Sequence, residues 1–128
     1  MTDEKVLVTS ALPYIHGIPH LGNIITSVLP ADIFRRYKRL KGKDTLYICG
    51  SDSHGTMHEI EAEKKDMETE DLVYESHERV KSLLSKFNFD FSYYGITDSE
   101  ENRITTEHIF NKLDENGYLE EKNIEVTY

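Results

Sequence analysis

His20 and Asn23 stand three residues apart at a point where the chain turns from loop to helix. The loop Ala11-Leu12-Pro13-Tyr14-Ile15-His16-Gly17-Ile18-Pro19-His20-Leu21-Gly22-Asn23 follows a short β-branched run, Val6-Leu7-Val8-Thr9, and precedes an amphipathic run from Ile24 to Leu40. A strand that breaks into a Gly/Pro loop and then opens a helix presents unpaired N–H donors and partial positive charge, which suits a phosphate. At a three-residue spacing the His20 and Asn23 side chains can face one point beyond the helix end. Each can donate a hydrogen bond to a phosphate oxygen. Gly17 and Gly22 have the Walker spacing, but Asn23 and Ile24 stand where Lys and Ser/Thr belong. The dinucleotide fingerprint G-x-G-x-x-G is absent from the loop.

The elements around this loop are read from periodicity. Residues 6–9 form a buried strand. Ile24, Ile25, Val28, Leu29, Ile33, Tyr37 and Leu40 recur at helical steps and predict one inner face, with Pro30 kinking or splitting the helix and Gly42 ending it. Thr45-Leu46-Tyr47-Ile48-Cys49 is a second strand. Strand, helix and strand make a βαβ unit with a parallel sheet. Ligands of such sheets bind beyond the carboxyl ends of the strands. The loop 10–23 and the turn 50–56 both lie at that edge, so the topology brings Asp52 and His54 towards the His20 loop. Further on, the pattern predicts helices over Met57–Lys65 and Thr69–Phe87, the latter with Leu72, Val73, Ser76, Val80, Leu83, Leu84 and Phe87 inside. Phe89–Tyr94 reads as a strand or extended aromatic loop. Ser99 caps a helix closed by Asn116-Gly117, and Leu119–Tyr128 reads as a last strand.

Composition narrows the classes. The 128 residues are one domain's worth of chain, 38% hydrophobic and 30% charged, as in a globular protein. No apolar run is long enough to span a membrane, and the first residues do not resemble a signal peptide. Cys49 is the only cysteine, so neither an intrachain disulfide nor a cysteine-based zinc site is expected. A cytoplasmic location follows. The net charge of −9 argues against a dedicated nucleic-acid module. Yet Arg35, Arg36, Lys38, Arg39, Lys41 and Lys43, six of the fifteen basic residues, fall together. They read either as a solvated helix end that offsets the helix dipole, or as a contact with RNA or another part of a larger protein.

Pro19-His20-Leu21-Gly22-Asn23 resembles the His-Ile-Gly-His signature of class I aminoacyl-tRNA synthetases. With Ala11-Leu12-Pro13-Tyr14 ahead of it, the form is similar to that of the methionyl-tRNA synthetase family. Tyr47-Ile48-Cys49-Gly50-Ser51-Asp52-Ser53-His54-Gly55-Thr56 and Asn116-Gly117-Tyr118-Leu119 resemble two further blocks of that family in the same order. Asn23 stands for the second His of the signature, and Met57 for a usual Pro. The resemblance implies an α/β fold: a Rossmann-type parallel sheet with flanking helices. Residues 1–128 would be the N-terminal half of the catalytic nucleotide-binding domain, ending where an inserted connective domain begins.

It also implies an activity, methionine–tRNA ligation, in which methionine and ATP form methionyl-adenylate and pyrophosphate before transfer to tRNA. His20 and Asn23 would be catalytic. His20, Gly22, Asn23 and His54 would face ATP, which brings Mg2+. Leu12, Tyr14 and Asp52 would face methionine, Asp52 taking its ammonium group. No metal site is expected in this chain: His16 and His20 share no helix, and Gly55 interrupts the helical register between His54 and His58. tRNA would bind mainly through parts outside this chain. A lone half domain would instead bind nucleotide only, self-associate, or await a complementing C-terminal chain. A serine hydrolase with Ser53 at a nucleophile elbow is the rival enzyme, although Ser51 replaces the first glycine of that motif.

Overall fold

The computed structural model describes residues 5–17 and 19–123. In chain order the elements are β1 (Lys5–Thr9), α1 (Leu21–Asn23), a π-helical stretch (Ile24–Val28), α2 (Leu29–Leu40), β2 (Asp44–Ser51), α3 (Thr56–Lys65), α4 (Thr69–Lys86), β3 (Tyr93–Ile96) and α5 (Glu100–Glu115). Contacts divide the chain into two units, between Thr97 and Asp98.

The first unit holds a three-stranded sheet in the order β1-β2-β3. All pairing is parallel, with Val8 opposite Tyr47 and Cys49 opposite Tyr94. Alternation along each strand sends Val8, Tyr47, Cys49 and Tyr94 to one face, where the helices lie. Val8, Tyr47 and Cys49 form one buried cluster, flanked by Ala31, Phe91 and Tyr94. Ile15, Ile24, Val73, Val80 and Leu84 form a second cluster, flanked by Phe91, Tyr94 and Ile96. Phe91 and Tyr94 serve both. The opposite face carries Leu7, Leu46 and Tyr93, which are 63%, 48% and 65% exposed. Parallel strands buried on both sides read as continuous apolar runs; here the apolar residues of the second face remain open.

The helix that follows the His20 loop departs from its expected form. It runs from Leu21 to Leu40 without a gap, and the break expected at Pro30 takes the form of the π-helical stretch before it. Leu29 N–H bonds the carbonyl of Ile24, five residues back. The wider turn leaves room for a proline that has no N–H to give. The face of Ile24 and Val28 continues at four- and three-residue steps to Asp32 and Arg35, not to Ile33 and Tyr37. Ile24 and Val28 are buried as expected, but α2 then buries Asp32 and Arg35. Ile33, Tyr37 and Leu40 are exposed instead.

Those two inward charges explain half of the basic run. Arg35 Nη2 donates to Ser92 Oγ at 2.9 Å, and its Nη1 lies 2.9 Å from the Asp90 carboxylate. Arg36 pairs with Asp32 at 2.6 Å and donates to the Asn88 carbonyl at 2.5 Å. Arg39 pairs with Asp90. Asp32 closes the ring by accepting the Asp90 N–H at 2.7 Å. Burial alone would raise the Asp90 carboxyl, but Arg35 and Arg39 outweigh it and hold it below the ordinary 3.8. Lys38 and Lys41 lie over the rings of Phe34 and Tyr37. This part of the run is a clamp between α2 and the segment that leads into β3.

Burial of α4 follows expectation at Leu72, Val73, Ser76, Val80 and Leu84, and adds His77. Phe87 is half exposed instead. In the second unit Ser99 caps α5 by accepting the Asn102 N–H at 3.2 Å. Arg103 pairs along the helix with Glu100 and Glu107. Residues 119–123 are not in a strand, and the rest of the strand expected at 119–128 lies outside the described residues. No helix among the described residues is long and apolar enough to cross a membrane.

The clamp makes Asp32 a sensitive position, because its buried carboxylate both pairs with Arg36 and accepts the partly buried Asp90 N–H. Asp32→Ala is expected to lower unfolding free energy by about 2–3 kcal/mol, within the range for hydrogen bonds to charged groups. Urea denaturation of the two chains measures it; a loss within error of zero would show that the clamp does not stabilise the fold.

Candidate functional site

The loop after β1 is fixed from both ends. At its root, Ser10 Oγ lies 3.0 Å from the Tyr47 hydroxyl and donates to Cys49 Sγ at 3.1 Å. Burial pushes the Tyr47 hydroxyl up to about 12, so it stays neutral. Ser27 donates to the Ala11 carbonyl at 3.2 Å, tying the loop to the π-helical stretch. Between these ties the loop runs alongside the end of β2. Asp52 N–H donates to the Pro13 carbonyl at 2.9 Å, and Ile15 N–H donates to the Asp52 carbonyl at 3.2 Å. Tyr14 and Asp52 thereby form an isolated parallel bridge. Alternation across that bridge drives Ile15, fully buried, into the core and turns Tyr14 out, 38% exposed.

The structure thus brings Tyr14 beside Asp52, as the shared sheet edge predicted. Asp52 is partly buried, and Leu12, on the same loop, is 44% exposed. The Tyr14 hydroxyl lies over Gly55; a Cβ there would sit 2.7 Å from it. Gly55 also has φ +146°, a conformation that favours glycine. Both the close approach and the turn therefore need this residue to lack a side chain.

His20, Gly22 and Asn23 lie exposed at the start of the helical run. Asn23 Oδ1 accepts the His20 N–H at 3.2 Å, and Asn23 N–H donates to the His20 carbonyl at 3.0 Å. This exchange closes the helix entry and directs the carbonyl end of the Asn23 amide to the backbone, leaving its NH2 end as the donor toward a ligand. The His20 imidazole folds over Gly22, where a Cβ would come within 2.9 Å of the ring. A glycine two residues after the histidine lets the ring lie against the helix end. Thr26 Oγ1 donates back to the Gly22 carbonyl at 2.7 Å, holding the first turn before the π-helical stretch.

His54 is exposed in the turn after β2 and precedes α3, so it shares no helix with His58. Among the described residues no group of three or more His, Cys, Asp or Glu gathers as a metal set. Ser53 is buried, and its Oγ lies 2.7 Å from Thr97 Oγ1. That is a strut between the end of β2 and the end of β3, not an exposed nucleophile.

Sequence reasoning passed over His77 and weighed His58 only as a metal partner of His54; both are buried. His77 Nδ1 lies 2.9 Å from Ser51 Oγ, which is 3.1 Å from the Tyr94 hydroxyl. This polar strut joins α4 to β2 and β3. His58 is 1% exposed, with its ring 4.9 Å from that of Tyr14 and 6.1 Å from that of His16. His16 Nδ1 in turn lies 3.0 Å from Glu61 Oε2. His77 falls in the period of Val73, Val80 and Leu84, a signal that could have marked it as buried; His58 is marked out only by the neighbours it meets in the fold. Burial holds the His58 imidazole below the ordinary 6.5, with the charge of His16 adding to the effect and Glu61 and Asp52 opposing it. Burial likewise lowers His77, opposed by Glu78.

A family model described as tRNA synthetases class I (M) matches residues 6–128. The methionine–tRNA ligase of Streptomyces avermitilis is 44% identical over 122 residues, which are 95% of this chain and 21% of that one. The cytoplasmic methionine–tRNA ligase of Saccharomyces cerevisiae is 40% identical over 126 residues, 98% of this chain and 17% of that one. The chain therefore spans about a fifth of the length of the curated relatives it matches. Among solved structures, Mycobacterium tuberculosis methionyl-tRNA synthetase in complex with methionyl-adenylate matches with a TM-score of 0.83 at 21% identity, over 89% of this chain and 22% of that one. This last likeness is one of fold.

The two lowered imidazoles set a pH dependence. The fold prefers both neutral, so the unfolded chain takes up protons first as pH falls. Their contribution is fully present above 6.5 and is lost as pH falls below that value through their lower folded values. The urea midpoint is expected to drop between about pH 7.5 and about pH 5.5. NMR titration of the ring protons checks the cause; folded-state titration of both rings at or above 6.5 would remove it.

Proposed function

Because the chain belongs to the class I tRNA synthetases of the (M) family, we propose that it carries the ATP-phosphate loop and part of the methionine pocket of a methionine–tRNA ligase. The observation that carries this reading is the Tyr14–Asp52 bridge at the strand edge from which the His20 loop also rises. It sets a carboxylate and an amphipathic ring side by side, matching an amino acid's ammonium group and side chain.

In the proposed first step a methionine carboxylate oxygen attacks the α-phosphorus of ATP. The new O–P bond replaces the bond to the bridging oxygen, and pyrophosphate leaves with that electron pair. A carboxylate is already ionised at neutral pH and needs no general base. The chain's work is alignment and stabilisation of charge developing on the phosphates. His20 and the Asn23 NH2 group supply donors at a helix N-terminus, where the axial dipole favours the same charge. Gly22 lets both come close, and His54 lines the ATP side from the turn after β2. Asp52 pairs with the ammonium group. Leu12 and the Tyr14 ring offer an apolar surface to the thioether. Magnesium would accompany the triphosphate, whose oxygens bind it. Transfer to tRNA would draw on parts of the longer relatives beyond this match.

A second reading is favoured by the open sheet face of Leu7, Leu46 and Tyr93. An apolar sheet face of this kind is ordinarily covered. On this reading the chain binds nucleotide, or awaits a complementing chain or a second copy, and does not activate methionine alone.

Methionine-dependent ATP–pyrophosphate exchange separates the two. The first reading expects exchange that falls by about 10²–10³ in a His20→Ala, Asn23→Ala variant, the scale of lost oxyanion-type donors. The second expects no exchange by the folded chain but retained ATP binding that the same variant weakens. A folded chain with neither exchange nor ATP binding would overturn both.

A further inference from the structure

His58 and His77 are both buried histidines, and they differ in one respect. His77 spends its Nδ1 on Ser51 at 2.9 Å, as a histidine of a packed core does. The Nε2 of His58 is buried with no hydrogen-bond partner. A buried polar atom left unpaired carries a desolvation cost that a leucine of similar volume would not carry. Filling space therefore does not account for an imidazole here. What the ring does touch is Tyr14, with centroids 4.9 Å apart and planes tilted by 51°. Its edge meets His16, which is itself engaged by Glu61 at 3.0 Å. Glu61 is in turn held by Lys65 at 2.5 Å. So one neighbour of His58 is tied down independently, and the other is Tyr14.

The Tyr14 backbone is fixed by its bridge to Asp52, but that bridge does not orient a side chain. The ring has three neighbours on the protein side: the Gly55 backbone beneath its hydroxyl, the His58 ring at 4.9 Å and, farther off at 6.2 Å, the His16 ring. With 38% of the residue exposed, the remainder of the ring is open.

We propose that His58 is a positioning residue that wedges the Tyr14 ring against Gly55 and so presents its open face to the amino-acid side chain at this site. The proposal rests on reading Tyr14 as a methionine contact, and it assigns to His58 an action through Tyr14 only. A ring held in its bound pose loses less freedom when the ligand arrives, and affinity rises by that saving. Burial keeps His58 neutral, so its part is shape and ring contact, not charge.

The test is NMR on the 128-residue chain. The wild type is expected to show a nuclear Overhauser contact between the Tyr14 ring protons and Gly55 Hα. His58→Ala is expected to lose that contact while amide shifts in α4 and β2 stay in place, and His58→Phe, which restores a flat ring, is expected to recover it. Titration with methionine, followed on the Tyr14 ring, is expected to give binding about tenfold weaker in His58→Ala, with recovery in His58→Phe. If His58→Ala does not fold, His58→Leu, which fills the space without a flat ring, takes its place with the same expectations. Retention of the Tyr14–Gly55 contact in the Ala or Leu variant overturns the proposal, and so does failure of Phe to recover it. The contact is read without ligand. A wild-type chain whose Tyr14 ring ignores methionine would therefore overturn the pocket reading, while the positioning of Tyr14 is still decided.

Discussion

Two peptide hydrogen bonds hold the site together: Asp52 N–H to the Pro13 carbonyl and Ile15 N–H to the Asp52 carbonyl. They continue the pairing of β2 onto a loop that would otherwise leave the sheet at Thr9. Because side chains alternate across a paired strand, these bonds also decide which way the loop residues face. Ile15 goes into the cluster of Ile24, Val73, Val80 and Leu84, and its burial secures the register. Tyr14 must then face outward next to Asp52. Without this short pairing, Leu12, Tyr14 and Asp52 would be residues of two loops with no fixed relation.

The same loop sets the start of the long helix, and the helix solves a problem that its proline creates. The π-helical stretch at Ile24–Val28 accommodates Pro30. Beyond it the buried face passes from Ile24 and Val28 to Asp32 and Arg35, which meet Ser92 and Asp90, while Arg36 beside them meets Asn88. Arg35 leaves its Nε buried without a hydrogen-bond partner, so the fastening rests on its bond to Ser92 and its pairing with Asp90. A basic run that reads as a solvated helix end or a contact with RNA is in large part an internal fastening. It keeps β3, and with it the strut from Thr97 to Ser53, in step with the helix that begins at His20.

The sheet is finished on one face and open on the other. Helices cover Val8, Tyr47, Cys49 and Tyr94, while Leu7, Leu46 and Tyr93 stand exposed. A match to about a fifth of the length of its curated relatives is consistent with such one-sided burial. The residues proposed to face ligand all belong to the loops at the strand edge of this unit. The proposed division of labour, phosphate donors and an amino-acid pocket here with other contacts elsewhere, follows from that asymmetry.

The sequence by itself determined the local pieces. Gly and Pro punctuation and apolar periods mark α3 and α4 to within a residue, since Met57–Lys65 and Thr69–Phe87 are observed as Thr56–Lys65 and Thr69–Lys86. Strand, helix and strand imply a parallel sheet through the handedness of the crossover, and the His20–Asn23 spacing follows from helical geometry alone. Tertiary structure decided what depends on atoms far apart in the chain. That α2 buries the charged continuation of the Ile24 and Val28 face, and not the apolar Ile33, Tyr37 and Leu40, is not told by hydrophobicity. The burial of Asp32 and Arg35 depends on partners more than fifty residues away. The wedge of His58 against Tyr14 joins a loop and a helix that meet only because Asp52 pairs with the residues around Tyr14. Periodicity records a residue's relation to its own element. Pairing and burial record its relation to another, and that relation exists only once the chain has folded.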